Sequence, residues 1–423
     1  MYEPERRSIL LQRAIKEGLL HPEEAPIASF IDWDRVSANV AALIDAFPNS
    51  VSVLHAFAVK ANSLVPVIRR LAQLGMGAEV ASHGELQAAI EAGISPTRIV
   101  FDSPAKSRSE LKRALGLGVA INVDNFQELA RITELRREDS SASEVGIRVN
   151  PQVGTGSIAA MSTAGVISKF GVPMRDDGAR ERLIEAYLQH PWLTRAHAHV
   201  GSQGCPLSLI ASGISDLVSF ADEVNRRAKR AQITTLDIGG GLPVDFGTDT
   251  PISAFGDYVD ALKDQAPRLF SGDYDIVTEF GRSILAKHGI IATHVEYTKE
   301  VGGRRIAITH AGAQVATRTI FMPEAWPLRV QAFDAAGAPK PTSEVFSYDV
   351  AGPCCFAGDL LARDRPLPSL DPGDIVAVLD TGAYYASNPF QYNSLPLPGI
   401  YGVSGLPSAP VFDTIRAPEE TEW

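Results

Sequence analysis

VLHAFAVKANSLVPVIRRLAQLGMGAEVASHGELQAAIEA, residues 53–92, contains one beat played twice. Val53–Val59 is a short apolar run that reads as a strand, and Val65–Leu74 then repeats its apolar residues three and four apart, as an amphipathic helix does. Ala78–Ala81 and Glu85–Ala92 repeat the pair, with Gly, Ser and Asn marking the joints. The same beat continues outward to about residue 290, with strands at Arg98–Phe101, Ala120–Val123, Glu144–Val149, Thr194–His199, Thr234–Ile238 and Asp275–Glu279, and helices such as Phe126–Arg136. A parallel connection needs a long right-handed crossover, so eight such units predict an α/β fold of the closed (β/α)8 barrel type. An open doubly wound sheet also satisfies the alternation, but eight near-equal units in about 240 residues match barrel size better.

After residue 290 the pattern turns β-rich, in Ile291–Tyr297, Arg305–Thr309, Val345–Val350 and Ile375–Leu379. The expected organisation is an N-terminal segment, 1–30, able to pack on either part, a barrel over 31–290, and a C-terminal β domain of sandwich or barrel type over 291–423. The 423 residues are 45% hydrophobic, enough for a large core, which rules out a disordered chain. A net charge of -11 disfavours nucleic acid or an anionic membrane as partner. No run reaches the roughly 18 apolar residues of a spanning helix, and the start, MYEPERRSILLQR, lacks a signal-peptide core, so a cytoplasmic protein is expected. The three cysteines, Cys205, Cys354 and Cys355, make neither a disulfide framework nor a zinc spacing, and no metal is expected.

In such a barrel, function collects at the carboxyl ends of the strands. The first strand runs into Lys60, whose amine, flanked by apolar residues, could be desolvated and form a Schiff base; a surface lysine with a buried stem is the ordinary alternative. The seventh runs into Gly239-Gly240-Gly241, where backbone amides can crowd round a phosphate, although a tight turn also explains one or two glycines. GxGxxG and GxxxxGK[ST] patterns are both missing, which favours a smaller phosphorylated cofactor over a dinucleotide or nucleoside triphosphate. The sixth strand ends at His199 with Ser202 just beyond, and the eighth at Glu279 with Arg282 behind it. A carboxylate facing a pyridinium nitrogen keeps the ring an electron sink; a Glu/Arg pair on the rim is the plain alternative.

Together these residues describe a pyridoxal 5'-phosphate pocket, and six ordered runs resemble the signatures of one family. They are Ala58-Val59-Lys60-Ala61-Asn62, His199-Val200-Gly201-Ser202-Gln203, Asp237-Ile238-Gly239-Gly240-Gly241, Glu279-Phe280-Gly281-Arg282, Gly352-Pro353-Cys354-Cys355-Phe356-Ala357-Gly358-Asp359 and Gly382-Ala383-Tyr384. Arg148-Val149-Asn150-Pro151 and Lys169-Phe170-Gly171 add to the likeness. The chain resembles, from about residue 27 to about 400, the fold-type III ornithine/diaminopimelate/arginine decarboxylases, whose barrel is alanine-racemase-like, and most of all diaminopimelate decarboxylases. The resemblance implies that Lys60 carries the cofactor, His199 stacks on its ring and Glu279 pairs with the pyridine nitrogen. It also implies that Ser202, Gly239, Gly240, Gly241, Gly281, Arg282 and Tyr384 form the phosphate and cofactor shell. Members of the family are head-to-tail homodimers with shared active sites, so Cys355 would donate a proton in its partner's site, while Cys354 packs.

Arg282, Arg318, Met322, Phe356 and Tyr384 are the expected substrate contacts. Two of them depart from the diaminopimelate pattern: Phe356 replaces the glutamate that receives the substrate's distal ammonium, and Met322 stands where a tyrosine is usual. Burying an ammonium without a carboxylate costs several kcal/mol, and a cation–π contact returns about 2 kcal/mol at most. The expected activity is therefore decarboxylation of a modified or specialised amino acid, with a genuine meso-diaminopimelate decarboxylase as the alternative. Behind these stand a racemase of the same fold and a non-catalytic homologue. Glu79 for the usual aspartate and Phe280 for the usual proline are departures the fold should tolerate.

Overall fold

A computed structural model describes residues 3–138, 141–158, 161–249 and 254–420. The chain divides into two compact units: Val40–Val244 with Ile252–Ser283, and Met1–Asn39 with Asp245–Pro251 and Ile284–Trp423.

The first unit holds all eight expected barrel strands: β2 (Val53–Ala58), β3 (Gly77–Val80), β4 (Ile99–Asp102), β5 (Ala120–Val123), β6 (Val145–Asn150), β8 (Leu193–His197), β9 (Thr235–Asp237) and β10 (Asp275–Thr278). The numbering leaves β1 for Ile27–Asp32 and β7 for a two-residue strand, Val172–Pro173, beside β6. Each barrel strand pairs in parallel with its neighbours, and the β5–β6 pairing completes a ring that runs through β8, β9 and β10 back to β2. The fold is thus the expected (β/α)8 barrel. Local chemistry starts its helices where the strands end: Ser82 caps His83–Glu91 by accepting the Glu85 N–H at 3.1 Å, and Ser107 with Glu110 forms a capping box on Arg108–Leu117.

Strand side chains alternate between faces, and inside a barrel that alternation stacks layers. Ala56, Val100, Ala120 and Val277 form an apolar floor. Two residues beyond Val100, Ala120 and Val277 stand Asp102 and Asn122, at the ends of or within their strands, and Glu279, just past β10, all buried. The interior therefore passes from small aliphatic groups to ionisable ones toward the carboxyl ends of the strands, which is where the candidate residues lie.

The second unit is the β domain. Its spine is β11 (Gly289–Val301), whose first part pairs with β1 and with β16 (Ile375–Leu379), and whose second part pairs with β12 (Arg304–Thr309) after an irregularity between Val295 and Tyr297. The four expected runs are present as β11, β12, β14 (Phe346–Ala351) and β16. They are joined by β1, β13 (Val330–Phe333), β15 (Leu360–Leu367), β17 (Gly399–Ser404) and β18 (Val411–Arg416). β1 lies between β11 and β17, and the first helix, Glu3–Lys16, buries Leu10, Leu11 and Ala14 in one cluster with Phe30, Ile290 and Val403. These contacts carry the N-terminal chain as far as Asn39 with the β unit, and the barrel unit runs from Val40 to Ser283 where 31 to 290 was expected. Among the described residues, no helix is long and apolar enough to cross a membrane.

Candidate active site

Strand β2 ends at Ala58, and Lys60 stands in the short 3-10 turn Val59–Ala61 that follows. The turn's neighbouring side chains, Val59 and Ala61, are buried, while Lys60 keeps 43% of its own side chain exposed and sets Nζ 2.7 Å from Glu79 Oε2. Glu79, on β3, is the departure from the family's aspartate, and it is the lysine's ion-pair partner. Burial drives its carboxyl up to about 8 and the facing Glu279 adds to the rise, while Lys60 pulls against both.

Glu279 follows β10 and is buried, with Oε1 lacking a hydrogen-bond partner among the described residues. Burial first, then Asp102, raises its carboxyl to about 7. Its charged surroundings, Glu79, Asp102, Asp237 and Arg148, lie inside the barrel. Asp102 accepts from Arg148 Nη1 at 2.6 Å, and although burial raises it, the Arg148 guanidinium outweighs that and holds it at about 2. Asp237 accepts from Asn122 at 2.9 Å and is lifted to about 7 by burial and by Glu279.

The glycine turn after β9 is shaped by close approach. A Cβ on Gly239 would lie 2.6 Å from His199 Nδ1, and Gly239 and Gly241 have φ of +65° and +107°, where glycine is favoured. Gly240 donates its N–H to His199 Nδ1 at 3.2 Å, so in the neutral ring the proton sits on Nε2. Burial and Arg148 push this imidazole well below its usual range, which makes the neutral form the one present. Ser202, three residues on, donates its backbone N–H to Met161 O at 3.0 Å. Gly281 packs so tightly that a Cβ would be 2.9 Å from that of Ala61, and Arg282 opens the turn of helix that follows. Lys60, His199, Ser202, Gly239–Gly241, Glu279, Gly281 and Arg282 therefore all belong to the barrel unit.

The remaining expected residues belong to the β unit. Arg318 holds its guanidinium 4.3 Å from the Tyr384 ring and 5.3 Å from Trp326, with Nη1 buried and lacking a hydrogen-bond partner among the described residues. Tyr384 has a φ of +68°, a strained value for a bulky side chain. Cys355 is exposed and donates its backbone N–H to Asn393 Oδ1 at 2.8 Å. Cys354 is buried against Gln314, and burial with Asp359 raises its thiol to about 11. Phe356 lies face to face with Phe321 at 5.7 Å and edge-on to Tyr392, and Phe390 completes the group. Met322, just past the helix Ala313–Phe321, is 48% exposed.

The barrel residues fit a pyridoxal phosphate. They offer an amine at the strand end, a buried carboxylate oxygen that lacks a hydrogen-bond partner among the described residues, and a glycine turn too close-packed to admit side chains. The comparisons agree. Residues 34–286 match the family described as pyridoxal-dependent decarboxylase, pyridoxal binding domain, and the chain belongs to that family. It is a pyridoxal-phosphate-dependent amino-acid carboxy-lyase of fold type III. Within that class it is similar to diaminopimelate decarboxylases. It shares 36% identity over 340 residues with that of Pseudomonas aeruginosa, covering 80% of this chain and 78% of the relative. The Helicobacter pylori enzyme complexed with L-lysine superposes with a TM-score of 0.81 at 28% identity, over 94% and 95% of the two chains. The M. jannaschii enzyme in co-complex with L-lysine does so at 0.84 and 26%, over 98% and 92%.

The ionisable layer behind the site was missing from the sequence reading. Glu79, Asp102, His197 and Asp237 lie on four different strands, and the signal that could have found them is that all occupy the carboxyl-terminal half of a barrel strand.

Proposed function

We propose that the enzyme removes the α-carboxylate of a modified or specialised amino acid whose distal end is an acyl or carboxylate group rather than a free ammonium. The observation that carries this reading is the surroundings of Phe356. Where the diaminopimelate pattern has a glutamate, Phe321, Phe356, Phe390 and Tyr392 pack ring on ring, and one helical turn before Phe321 the Arg318 guanidinium stands between Tyr384 and Trp326. That combination offers apolar surface and one positive charge, and it offers a distal ammonium no carboxylate at position 356. The names of the relatives favour a second reading, in which meso-diaminopimelate is decarboxylated to L-lysine.

In either case the roles are the same. Lys60 would hold the cofactor through Nζ, Glu279 would pair with its ring nitrogen, His199 would stack on the ring, and Ser202, the Gly239–Gly241 turn, Gly281, Arg282 and Tyr384 would form the phosphate and cofactor shell. The bound cofactor supplies a sink for the electrons that carbon dioxide leaves behind. Glu279 keeps the ring nitrogen charged, Arg282, Arg318, Met322, Phe356 and Tyr384 orient the substrate, and the Cys355 thiol delivers a proton to the α-carbon. The exposure of Cys355 in the single chain accords with a head-to-tail homodimer in which it serves a partner's site.

Mass-spectrometric detection of decarboxylated product tests the substrate reading. The panel is meso-diaminopimelate, ornithine, lysine and arginine, with ornithine and lysine carrying acyl or carboxyacyl groups on the distal nitrogen, and a Lys60→Ala control. Turnover of a distally acylated substrate, with meso-diaminopimelate at least about tenfold poorer in kcat/KM, is expected from an unpaired distal ammonium. Phe356→Glu should narrow that gap. Efficient lysine formation from meso-diaminopimelate by the unaltered enzyme would overturn the reading in favour of the second.

A further inference from the structure

The centre of the ionisable layer is His197, the last residue of β8 and wholly buried. Its Nε2 lies 3.6 Å from Glu279 Oε2 and its Nδ1 3.9 Å from Asp102 Oδ1, and neither nitrogen has a hydrogen-bond partner among the described residues. A fully buried imidazole with two unspent nitrogens is costly unless something repays it. Both gaps are a few tenths of an ångström beyond bonding distance, the looseness expected of a site that tightens when its cofactor is seated.

Every strand packed round this ring contributes a polar or charged group. Glu79 comes from β3, Asp102 from β4, Asn122 from β5, Arg148 from β6, Arg195 from β8, Asp237 from β9, and Glu279 follows β10. Lys60 and His199 face the same layer. The carboxyl groups of Glu79, Asp102, Asp237 and Glu279 thus meet Lys60, Arg148 and Arg195, with Lys106 acting on Asp102 from behind and Glu144 pairing Arg195 at 2.9 Å. Arg148 bonds Asp102 at 2.6 Å, while Arg195 Nη2 is 3.7 Å from Asp237. Asp102, His197 and Glu279 are also close enough to invite a metal ion, but the guanidinium of Arg148 already supplies the cation at Asp102.

We propose that His197 is a positioning residue for the cofactor's ring nitrogen, acting through Glu279: as a neutral ring it donates from Nε2 to Glu279 Oε2 and holds that carboxylate aimed at the ring with its charge intact. Glu279 needs such help, because burial and the neighbouring Asp102 both favour its neutral form. Burial likewise keeps His197 from charging, which suits a neutral donor. The inference rests on the pairing of Glu279 with the ring nitrogen proposed above.

The test compares binding of pyridoxal phosphate with that of its 1-deaza analogue, in which carbon replaces the ring nitrogen, to the full-length apoprotein. A contact that acts through the nitrogen strengthens the first ligand alone. The unaltered protein is expected to favour pyridoxal phosphate by at least about tenfold, the usual worth of a hydrogen bond to a charged group. In His197→Phe, which keeps a ring but no donor, the preference should fall to within about threefold, and in His197→Gln, which keeps a donor, it should largely survive. The visible absorbance of the bound cofactor should titrate at higher pH in the Phe variant than in the Gln variant. Should Phe prevent folding, as seen by melting, His197→Ala carries the same comparison. Equal weakening of both ligands in these variants, with the preference unchanged, would show a packing role and overturn the proposal. No preference in the unaltered protein would overturn the Glu279 pairing itself.

Discussion

Gly240 tests how the barrel mouth is built. A methyl on its Cα would lie 2.9 Å from the carbonyl carbon of Glu279 and 3.3 Å from Phe280 N, with the Glu279 carbonyl oxygen closer still. All three atoms are backbone, so no rotamer change relieves the clash, and the glycine turn or the end of β10 must shift by roughly 0.5–1 Å. Neither has room. Gly239 O accepts the Glu279 N–H at 2.7 Å, and Gly281 is pressed against Ala58 and Ala61. Overpacking of this kind costs about 1–3 kcal/mol of folding free energy, and a 1 Å misplacement of a group at a reacting centre costs about a hundredfold in rate. Gly240→Ala should therefore lower the unfolding free energy by about 1–3 kcal/mol and weaken pyridoxal phosphate binding by more than about tenfold. Gly116 is the control: it is exposed within the helix Arg108–Leu117, and a Cβ there meets nothing within 4 Å. Gly116→Ala should gain about 0.5–1 kcal/mol and leave cofactor binding alone. Urea unfolding of the apoprotein and a fluorescence titration with pyridoxal phosphate measure both. A Gly240→Ala protein that unfolds and binds like its parent would refute the close-approach argument.

Asp102→Asn leaves the buried Arg148 guanidinium without its carboxylate, so a loss of about 3–5 kcal/mol is expected in denaturant unfolding; a loss below about 1 kcal/mol would mean that Arg148 finds another partner or water. His55, on the outer face of β2, bonds Thr278 at 2.9 Å and is lowered by burial to about 4. The unfolded chain therefore takes up this proton first as pH falls, and stability fully present above pH 6.5 is lost between 6.5 and 4, by about 3 kcal/mol at most. His55→Gln should flatten the stability–pH slope in that window by about one proton, and parallel slopes would contradict the assignment. Arg318→Met removes the guanidinium held against Tyr384 and Trp326, and KM for the preferred substrate should rise at least about tenfold if that charge meets an anionic group; an unchanged KM would remove Arg318 from the substrate contacts.

The barrel was legible because its strands are apolar runs on both faces, set off by glycine and by capping residues such as Ser82 and Ser107. The β domain was legible only in part. Leu360–Leu367, LLARDRPL, carries three charges and a proline, and Gly399–Ser404, GIYGVS, has two glycines, so neither resembles a strand until its partners in the sheet are known. Ile27–Asp32 precedes the regular beat and is a strand because β11 and β17 flank it, a pairing across more than 250 residues that no local pattern carries. At the site, Lys60, His199, Glu279 and the three glycines stood out because they fall just past strands. Their supports did not, because a polar residue inside a strand, such as His197 in Leu193–His197, acquires meaning only when the closed sheet brings it opposite Asp102 and Glu279.

The central claim is that Lys60, at the end of β2, is the residue that carries the cofactor. Borohydride reduction of the pyridoxal-phosphate-loaded protein, followed by peptide mass spectrometry, tests it directly. The expected result is a single pyridoxyl label on Lys60 that is missing from the Lys60→Ala protein; a label on Lys106, or one that survives the Lys60→Ala substitution, would contradict it.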